Sequence, residues 1–329
     1  MRAAVIEQHG MPPVVGERKD PTPAAGVALI AVTAAPIIPL DILCASGTSY
    51  FGAPALPYVP GVQGVGVVTE ASTVPVGSRV WFPTTAGMKP GDGSMAELAL
   101  APEEDLVVLP DSVDDALVAA LGLSAVAGWM ALTWRARMRP DEQVLVLGAG
   151  GVVGQVAVQA AKRLGARRVV AACRSEGAQR RARACGADAV VRLYDGEDQP
   201  ALTARLAEAC DGPVDVVIDP LFGVPASAAA QLLGNRGRLV NLGSSAGETA
   251  VFGSAYLRSH TASILGYTNN DITVAERRQA LLDVLAHAVE TGLTVGHDVM
   301  PLDDVGAAWA AQAEGTAAQR IVLRIGRRV

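Results

Sequence analysis

Residues 143–154, QVLVLGAGGVVG, constrain the fold more strongly than any other part of this sequence. Four apolar residues have the length of a short buried strand, four glycines follow at once, and an apolar helical pattern then runs to Gly165. This order of strand, glycine turn and helix is typical of the start of a dinucleotide-binding βαβ unit. One glycine makes the turn, a second lets backbone N–H groups reach a pyrophosphate, and a third lets the helix pack closely on the strand.

The sequence therefore predicts that this turn holds the phosphates of a dinucleotide at a helix N-terminus, where the helix dipole favours anions. The predicted contacts are Gly148, Gly150, Gly151, Val152 and Val153. The alternative is a glycine-rich turn that binds no ligand.

Strands and helices alternate after residue 143, through apolar segments that begin near residues 168, 189, 214, 238 and 262. Such alternation predicts a parallel, doubly wound sheet and places the chain in the α/β class. Residues 1–118 instead contain short apolar runs between proline and glycine turns, which predicts a small β-barrel or sandwich. The late helices and the final strand do not extend the alternation. We therefore expect one domain from residues 1–118 and 263–329, and a dinucleotide-binding domain from residues 119–262.

The composition excludes several classes of protein. The chain has 329 residues, half of them apolar and 18% charged, and its net charge is −6. This acidic balance predicts no binding to nucleic acid or to an anionic membrane surface. The four cysteines lack metal-binding spacing and the N-terminus lacks a signal-peptide core, so we expect a reducing, cytoplasmic location. Prolines interrupt the charge-free run at residues 21–40, which favours a buried strand over a membrane helix.

The end of the second predicted strand distinguishes the two nicotinamide cofactors. An NAD site has an acidic residue about twenty residues after the glycines, where it binds the ribose 2′-hydroxyl. Here the strand ends at Cys173 and is followed by Arg174 and Ser175, with Arg180 further on. A planar cationic donor and a hydroxyl suit a 2′-phosphate, so NADPH is the predicted cofactor. The alternative is a solvated basic face of a helix.

Two further segments follow predicted strands at their carboxyl ends, where ligands of open α/β sheets bind. The first contains Leu242, Gly243 and Ser244, and the second contains Gly266 and Tyr267. We expect both segments to contact the cofactor.

Six short motifs are spread along the chain, at residues 60–68 (PGVQGVGVV), 93–97 (GSMAE), 144–166, 186–188 (GAD), 214–219 (VDVVID) and 237–243. In this order they resemble the medium-chain dehydrogenase/reductase superfamily, and within it the zinc-independent quinone oxidoreductase branch. The resemblance covers essentially the whole chain. It implies a GroES-like β-barrel catalytic domain and a Rossmann domain, with the active site in the cleft between them.

In the alcohol dehydrogenase branch of that superfamily, a cysteine, a histidine and a glutamate hold a catalytic zinc. The corresponding residues here are Ile38, Val62 and Gln63. Isoleucine and valine cannot ligate a metal, and no other cysteine–histidine cluster supplies three ligands, so no metal is predicted. Without zinc, the expected acceptors are those activated by their own conjugation, such as quinones, enones and enoyl thioesters.

The resemblance also implies a small set of residues on the acceptor side. Tyr50 lies near the place of a tyrosine that faces the cleft in related reductases, and Asp41 resembles an aspartate that follows a cleft strand in the family. These two are the predicted catalytic residues, with water as the alternative source of the proton. Ile38, Leu40, Tyr50 and Phe51 are predicted to line an apolar substrate pocket.

The leading hypothesis is an NADPH-dependent, zinc-free oxidoreductase that transfers hydride to a quinone or to an activated C=C bond of a small-molecule acceptor. A second hypothesis is a pathway-specific enoyl or imine reductase of secondary metabolism. A third is a non-catalytic NADPH-binding sensor or structural subunit, because polar catalytic groups are few. The resemblance implies a dimer or tetramer, and an exposed apolar strand edge must be covered, so we expect a homodimer through residues 262–265.

Overall fold

The computed structural model describes residues 1–326 and divides the chain into two compact units. The first unit contains Met1–Leu123 and the segment from Gly296 onward, and the second contains Ser124–Val295. The structure thus moves the first boundary from residue 118 to residue 123, and the second from residue 262 to residue 295. The second shift arises because the strand at residues 263–266 pairs within the parallel sheet, and the long helix after it lies in the same unit.

The described strands, in chain order, are β1 (Arg2–Val5), β2 (Val14–Glu17), β3 (Val27–Ile37), β4 (Gln63–Glu70), β5 (Arg79–Pro83), β6 (Leu98–Pro102), β7 (Val107–Val108), β8 (Gln143–Leu147), β9 (Arg168–Cys173), β10 (Ala189–Arg192), β11 (Val214–Asp219), β12 (Leu233–Asn241), β13 (Ser263–Gly266), β14 (His297–Pro301) and β15 (Arg320–Arg324). The α-helices are α1 (Pro39–Ala45), α2 (Asp115–Met130), α3 (Val152–Arg163), α4 (Glu176–Ala184), α5 (Gln199–Ala209), α6 (Gly223–Ala230), α7 (Ser254–His260), α8 (Val274–Thr291) and α9 (Val305–Ala313).

The first unit is built on β3, an eleven-residue strand whose first residues are alternately buried and half-buried. β4 pairs with one edge of β3, while β6 and then β15 pair with the other edge. The strand order is β14-β15-β3-β4-β5-β7, and these pairs are antiparallel except for β14–β15. This mixed sheet carries its own apolar core, which includes Ile30, Phe82, Met95, Leu323 and Trp309. The buried strand expected within residues 21–40 is therefore confirmed.

The second unit is built on a six-stranded parallel sheet in the order β10-β9-β8-β11-β12-β13. Numbered from the first strand of this unit, the order is 3-2-1-4-5-6, which defines the Rossmann arrangement. Leu145, Leu147, Val170, Val217 and Leu239 are completely buried in its core. Strands that are buried on both faces have continuous apolar sequences, which is why the alternation of strands and helices could be predicted.

Local sequence explains where two of the helices in the second unit begin and end. The hydroxyl of Ser175 caps α4 by accepting the N–H of Ala178 at 3.2 Å. Thr273 and Glu276 form a reciprocal capping box at the start of α8, and Gly292 ends that helix with φ 72°. Each cap satisfies a backbone group that the helix itself leaves unpaired.

The apolar helix α2 continues into a π-helical turn, Ala131–Arg135, and it is bent at Gly122, where φ is 30° and ψ is −130°. Over Asp115–Arg135 its length and composition would suffice to cross a membrane, but 78% of its most apolar 18-residue stretch is buried inside the protein. Such burial is typical of a core helix of a globular protein. The predicted cytoplasmic location stays a prediction.

Three elements were not expected from the sequence, namely β2, β14 and α7. None of their residues is fully buried. Because a short, exposed element carries no apolar periodicity, a local pattern cannot predict it.

Candidate functional site

The glycine turn after β8 is closed by short backbone hydrogen bonds. The N–H of Gly151 donates to the carbonyl of Gly148 at 3.1 Å, and the N–H of Ala149 donates to the carbonyl of Ala172 at 3.1 Å. Gly148 has φ 62°, a left-handed conformation that glycine adopts without strain. Helix α3 then begins at Val152. The turn joins strand to helix in the arrangement that the glycine spacing predicts.

Two of the glycines are required by close packing. A Cβ on Gly154 would lie 2.5 Å from the Cα of Ala149, and a Cβ on Gly150 would lie 2.3 Å from the Cβ of Ala178. Gly151 is more open, since its nearest neighbour would be 3.6 Å away. The glycines at 150 and 154 therefore let α4 and α3 approach the turn, and Gly151 leaves its surface free for a ligand.

The first residues of α3 present N–H groups that the helix cannot pair internally. Gly151 provides no side-chain cap, and the first bond of the helix runs from the N–H of Gln155 to the carbonyl of Gly151 at 2.9 Å. The N–H groups of Val152, Val153 and Gly154 therefore point beyond the helix end. Together with the helix dipole, they form a site that fits the pyrophosphate of a dinucleotide.

The turn lies at the switch point of the sheet, because β8 lies between β9 and β11 and successive strands extend the sheet in opposite directions from it. Ligands of such sheets bind at this point, beyond the carboxyl ends of the strands. The structure brings the predicted cofactor residues to this one edge of the sheet: Gly148, Gly150, Gly151, Val152 and Val153 after β8; Arg174, Ser175 and Arg180 after β9; Leu242, Gly243 and Ser244 after β12; and Gly266 and Tyr267 at the end of β13.

A buried carboxylate that sequence analysis did not single out connects two of these strand ends. Asp219, the last residue of β11, is completely buried, and its Oδ1 accepts the N–H groups of Leu221 and Phe222 at 2.9 and 2.8 Å. The Nδ2 of Asn241, at the end of β12, donates to Oδ2 of Asp219 at 3.2 Å and to the carbonyl of Gly243 at 2.7 Å. Burial raises the pKa of Asp219, and the hydrogen bonds oppose that shift.

The loop after β11 is strained at Phe222. Its φ is 57° and its ψ is −153°, a conformation that is accessible almost only to glycine. Such a conformation costs a residue with a side chain about 1–3 kcal/mol. The next residue, Gly223, has φ 60°, and a Cβ there would lie 2.9 Å from the carbonyl oxygen of Ala246. Surrounding contacts therefore hold this loop in a path that its own sequence does not favour.

The loop after β12 packs against the same segment. The hydroxyl of Ser245 donates to the carbonyl of Pro220 at 3.2 Å. A Cβ on Gly243 would lie 2.8 Å from that carbonyl oxygen, and a Cβ on Gly148 would lie 3.0 Å from the Pro220 ring. Gly148 and Gly243, which were predicted from separate motifs, thus border the same proline.

Tyr267 is held firmly at the carboxyl end of β13, the outermost strand on its side of the sheet. Its hydroxyl donates to Oδ1 of Asn269 at 2.8 Å, and its ring meets that of Trp134 edge-on at 6.1 Å. The carbonyl of Gly266 accepts the Nε–H of Arg135 at 2.7 Å. Burial raises the pKa of Tyr267, so its phenol stays protonated at neutral pH.

The residues after β9 form a cationic surface. Arg174 and Ser175 are exposed, and the Ser175 hydroxyl, while it caps α4, keeps its own O–H as a donor. The guanidinium groups of Arg180 and Arg181 fold back toward Gly177 in the first turn of α4. A Cβ built on Gly177 would lie 3.9 Å from a guanidinium nitrogen of Arg180 and 3.5 Å from one of Arg181. Cations and a hydroxyl therefore gather at the strand end where a ribose would lie.

Sequence reasoning missed a second aromatic and cationic group beside this strand end. In the parallel pairing of β9 with β10, Arg192 lies opposite Cys173. The ring of Tyr194, which is 54% exposed, has the guanidinium of Arg192 at 5.1 Å and that of Arg205 at 4.8 Å. The available signal was its position just after the third strand of the alternation, at the edge where the other cofactor residues lie.

In the first unit, Asp41 lies in the first turn of α1 and is 2% exposed. Its Oδ2 accepts the N–H of Ile38 and its Oδ1 accepts the N–H of Val62, both at 2.9 Å. Burial raises the pKa of Asp41 to about 6, although these hydrogen bonds and the charge of Arg320 oppose the shift. Through these hydrogen bonds Asp41 holds the backbone at Ile38 and Val62 in place. Its predicted catalytic role stays a prediction.

The other residues predicted on the acceptor side lie at either end of α1. Ile38 is buried, Leu40 and Phe51 are half-buried, and Tyr50 is 77% exposed, with its ring centroid 4.2 Å from that of Phe51. These residues belong to the first unit, whereas the predicted cofactor residues belong to the second. Desolvation by its surroundings raises the pKa of Tyr50, which keeps the phenol protonated.

The three positions that resemble zinc ligands do not fit a catalytic zinc. Ile38 and Val62 are buried and apolar. The Oε1 of Gln63 accepts the Nε1–H of Trp81 at 3.1 Å and the N–H of Leu123 at 2.6 Å, and its Nε2 donates to a backbone carbonyl of α2. Among residues 1–326, no group of three or more His, Cys, Asp or Glu side chains could hold a metal ion.

Comparison with known proteins identifies the family. The model of the alcohol dehydrogenase GroES-like domain matches residues 24–111, and the model of the zinc-binding dehydrogenase family matches residues 152–287. Human quinone oxidoreductase is 30% identical over 303 residues, which cover 90% of this chain and 87% of that protein. The chain belongs to the medium-chain dehydrogenase/reductase superfamily, in its quinone oxidoreductase-like branch. The predicted family and both predicted domain folds are therefore confirmed.

Two further relatives refine this placement. The quinone oxidoreductase of Thermus thermophilus, whose structure and complex with NADPH have been solved, superimposes with a TM-score of 0.82 at 27% identity, over 99% of this chain and all of that one. A phenolphthiocerol/phthiocerol polyketide synthase protein of Mycobacterium tuberculosis is 30% identical over 327 residues, which are 94% of this chain and 14% of that protein. This member of the superfamily is thus an oxidoreductase with a nicotinamide dinucleotide-binding fold.

Proposed function

We propose that the protein is an NADPH-dependent, zinc-free reductase that passes hydride to a conjugated carbonyl compound, either a quinone or an activated C=C bond. The observation that carries the proposal is the end of β9, where Arg174 and the capping hydroxyl of Ser175 occupy the place of the acidic residue of an NAD site. Arg180, folded back toward the same turn, adds a second cation. These groups suit charge-assisted hydrogen bonds to a 2′-phosphate. The NADPH complex of the Thermus relative supports the same cofactor.

In this proposal the second unit binds and orients the cofactor. The N–H groups of Val152 and Val153 bind the pyrophosphate, and the segments that contain Gly243 and Gly266 border the cofactor along the same sheet edge. When bound, NADPH supplies the hydride.

The acceptor must bring its own activation, because Ile38 and Val62 offer no ligand for a Lewis acid and the Gln63 amide is engaged within the protein. A conjugated carbonyl delocalises the negative charge that develops when hydride reaches carbon, so it needs only a hydrogen-bond donor and a proton. We assign the donor role to the exposed hydroxyl of Tyr50, and Asp41 fixes the backbone of the apolar residues Ile38 and Val62. The name of the human relative supports a quinone as acceptor.

The test is steady-state oxidation of NADPH and of NADH with benzoquinone, an enone and a crotonyl thioester. We expect turnover with at least one acceptor and a preference for NADPH. Arg174→Ala should raise the KM for NADPH far more than the KM for NADH, because only NADPH carries the 2′-phosphate. Equal small effects on both cofactors would overturn the assignment of NADPH. Binding of NADPH without turnover of any acceptor would instead support a sensor or structural subunit.

The second candidate function is an enoyl reductase that acts on a thioester. The observation that favours it is the match of 94% of this chain to one segment of the mycobacterial polyketide synthase protein. Faster turnover of the crotonyl thioester than of benzoquinone would select this candidate, and the reverse order would select the quinone.

We also propose that the protein forms a homodimer through β13. This strand is at the end of the parallel sheet, and its apolar residues Ile264 and Leu265 are half-buried in the single chain. A second copy would pair with the open edge and cover these side chains. Light scattering should show a dimer for the native protein and a monomer for Ile264→Lys; a native monomer would refute the proposal.

A further inference from the structure

The starting observation is that Phe222 occupies a conformation in which glycine would be unstrained. Its φ of 57° and ψ of −153° place it outside the regions open to bulky residues, yet a phenylalanine is present. Such a conformation persists only where surrounding contacts over-determine it, and strained residues cluster at binding sites. The side chain must therefore contribute something that a glycine at this position would lose.

The contacts that hold Phe222 come from two loops. On its own loop, its N–H donates to the buried Oδ1 of Asp219 at 2.8 Å. From the loop after β12, the N–H of Ala246 donates to the carbonyl of Leu221 at 2.8 Å. The ring of Phe222 lies 6.1 Å from the ring of Phe252 at an angle of 59°, within the range of favourable aromatic pairs. The two rings thus tie residues 220–223 to the far end of the loop that follows β12.

Both loops border the glycine turn that binds the phosphates in the proposed function. Pro220 lies against Gly148 and against Gly243. The contact between Phe222 and Phe252 joins the two loops, in addition to the hydrogen bond from Ser245 to Pro220. Both phenylalanines lie farther along their loops than the Asp219–Asn241 hydrogen bond at the strand ends. Each loop is thus held at its strand end by hydrogen bonds and further along by the rings.

We propose that Phe222 and Phe252 form an aromatic clasp that positions the loops after β11 and β12 for the dinucleotide. The strained backbone of Phe222 is retained because it directs the ring toward its partner. This inference rests on the proposed binding of NADPH at this edge of the sheet, and it assigns the two phenylalanines as positioning residues that act through the loops.

The experiment measures the Kd for NADPH by titration calorimetry and the Tm by differential scanning calorimetry. Phe222→Ala and Phe252→Ala should each weaken NADPH binding about tenfold, which corresponds to about 1.4 kcal/mol. The double variant should be no weaker than the single variants, because either substitution already opens the clasp. Phe222→Gly relieves the strain, so it should fold with a higher Tm than Phe222→Ala while it binds NADPH just as weakly.

The matched control is Tyr256→Ala, which removes a different ring pair of the same unit, stacked with His260 at 4.2 Å. Its hydroxyl donates to the carbonyl of Leu233 at the start of β12, away from the carboxyl ends of the strands. It should lower the Tm and leave the Kd unchanged. If the four phenylalanine variants bind NADPH as tightly as the native protein, the clasp is refuted and the proposed function survives. If the native protein binds neither NADPH nor NADH, the proposed function fails, and the clasp fails with it.

Discussion

Replacing Gly154 with alanine would place a methyl group inside the contact between α3 and the glycine turn. The new Cβ would lie 2.5 Å from both the Cα of Ala149 and the carbonyl oxygen of Gly148. Both neighbours are backbone atoms, so neither can rotate away. A tolerable contact begins at 3.4 Å, and the helix must therefore move about 0.9 Å from the turn. We expect this change to lower both the stability of the protein and its affinity for NADPH.

The cost follows from overpacking, which typically destabilises a close-packed site by about 1–3 kcal/mol. Because 1 kcal/mol shifts the Tm by about 2–4 °C for a unit of this size, the Tm should fall by roughly 2–12 °C. Differential scanning calorimetry measures this shift, and titration with NADPH measures the loss of affinity that a displaced helix N-terminus causes.

The matched control is Gly151→Ala in the same turn. Gly151 has φ −81°, which alanine adopts without strain, and its Cβ would meet nothing closer than 3.6 Å. This variant should keep its stability within about 0.5 kcal/mol of the native value, as surface substitutions usually do. Equal Tm values for the two variants would refute the claim that position 154 needs glycine for helix packing.

Three further predictions concern buried polar groups. The pKa of Asp41 is about 6 in the folded protein and about 3.9 in the unfolded chain, so its contribution to stability is present below pH 4 and is lost as the pH rises through 6. Urea unfolding between pH 4 and 8 should show this loss, about 3 kcal/mol, in the native protein and not in Asp41→Asn. The same loss in both proteins would contradict the assignment. Gln63→Glu replaces an amide that donates to a buried carbonyl, so it should destabilise the protein by about 1–3 kcal/mol at pH 8. The loss should be smaller at pH 5, where a protonated carboxyl group can donate the same hydrogen bond. An equal loss at pH 5 and pH 8 would show that the lost hydrogen bond is not the cause. Arg238→Ala breaks a half-buried bidentate ion pair with Glu142 and should lower the free energy of unfolding by about 1.5–3 kcal/mol in the same assay. Arg163→Ala loses an exposed ion pair and should lower it by less than about 1 kcal/mol. Similar losses would mean that burial does not set the contribution of an ion pair to stability.

The parts of the site that could be predicted are those whose requirements are local. The spacing of glycines after β8 predicts the turn because Gly148 needs a positive φ and positions 150 and 154 have no room for a Cβ. Such features depend on neighbours within a few positions, so they can be recognised from the sequence alone.

The parts that could not be predicted depend on residues far apart in sequence. Tyr194 comes close to the end of β9 only because β10 pairs with β9 in a particular register. Asp219 and Asn241 meet only because β11 and β12 are neighbours. The apolar pattern of a strand tells which residues are buried, but it does not tell which strand lies beside it.

By itself, the sequence determined the two kinds of fold, the glycine turn between β8 and α3 and the absence of metal ligands at positions 38 and 62. Only the tertiary structure decided that the second unit extends to Val295, that Asp41 accepts the backbone N–H groups of Ile38 and Val62, and that Phe222 is strained. The physical reason is the separation in sequence between the residues that interact. Turns, caps and periodicity are set by local sterics and local hydrogen bonds, whereas unit boundaries, buried carboxylates and strain arise where distant segments pack together.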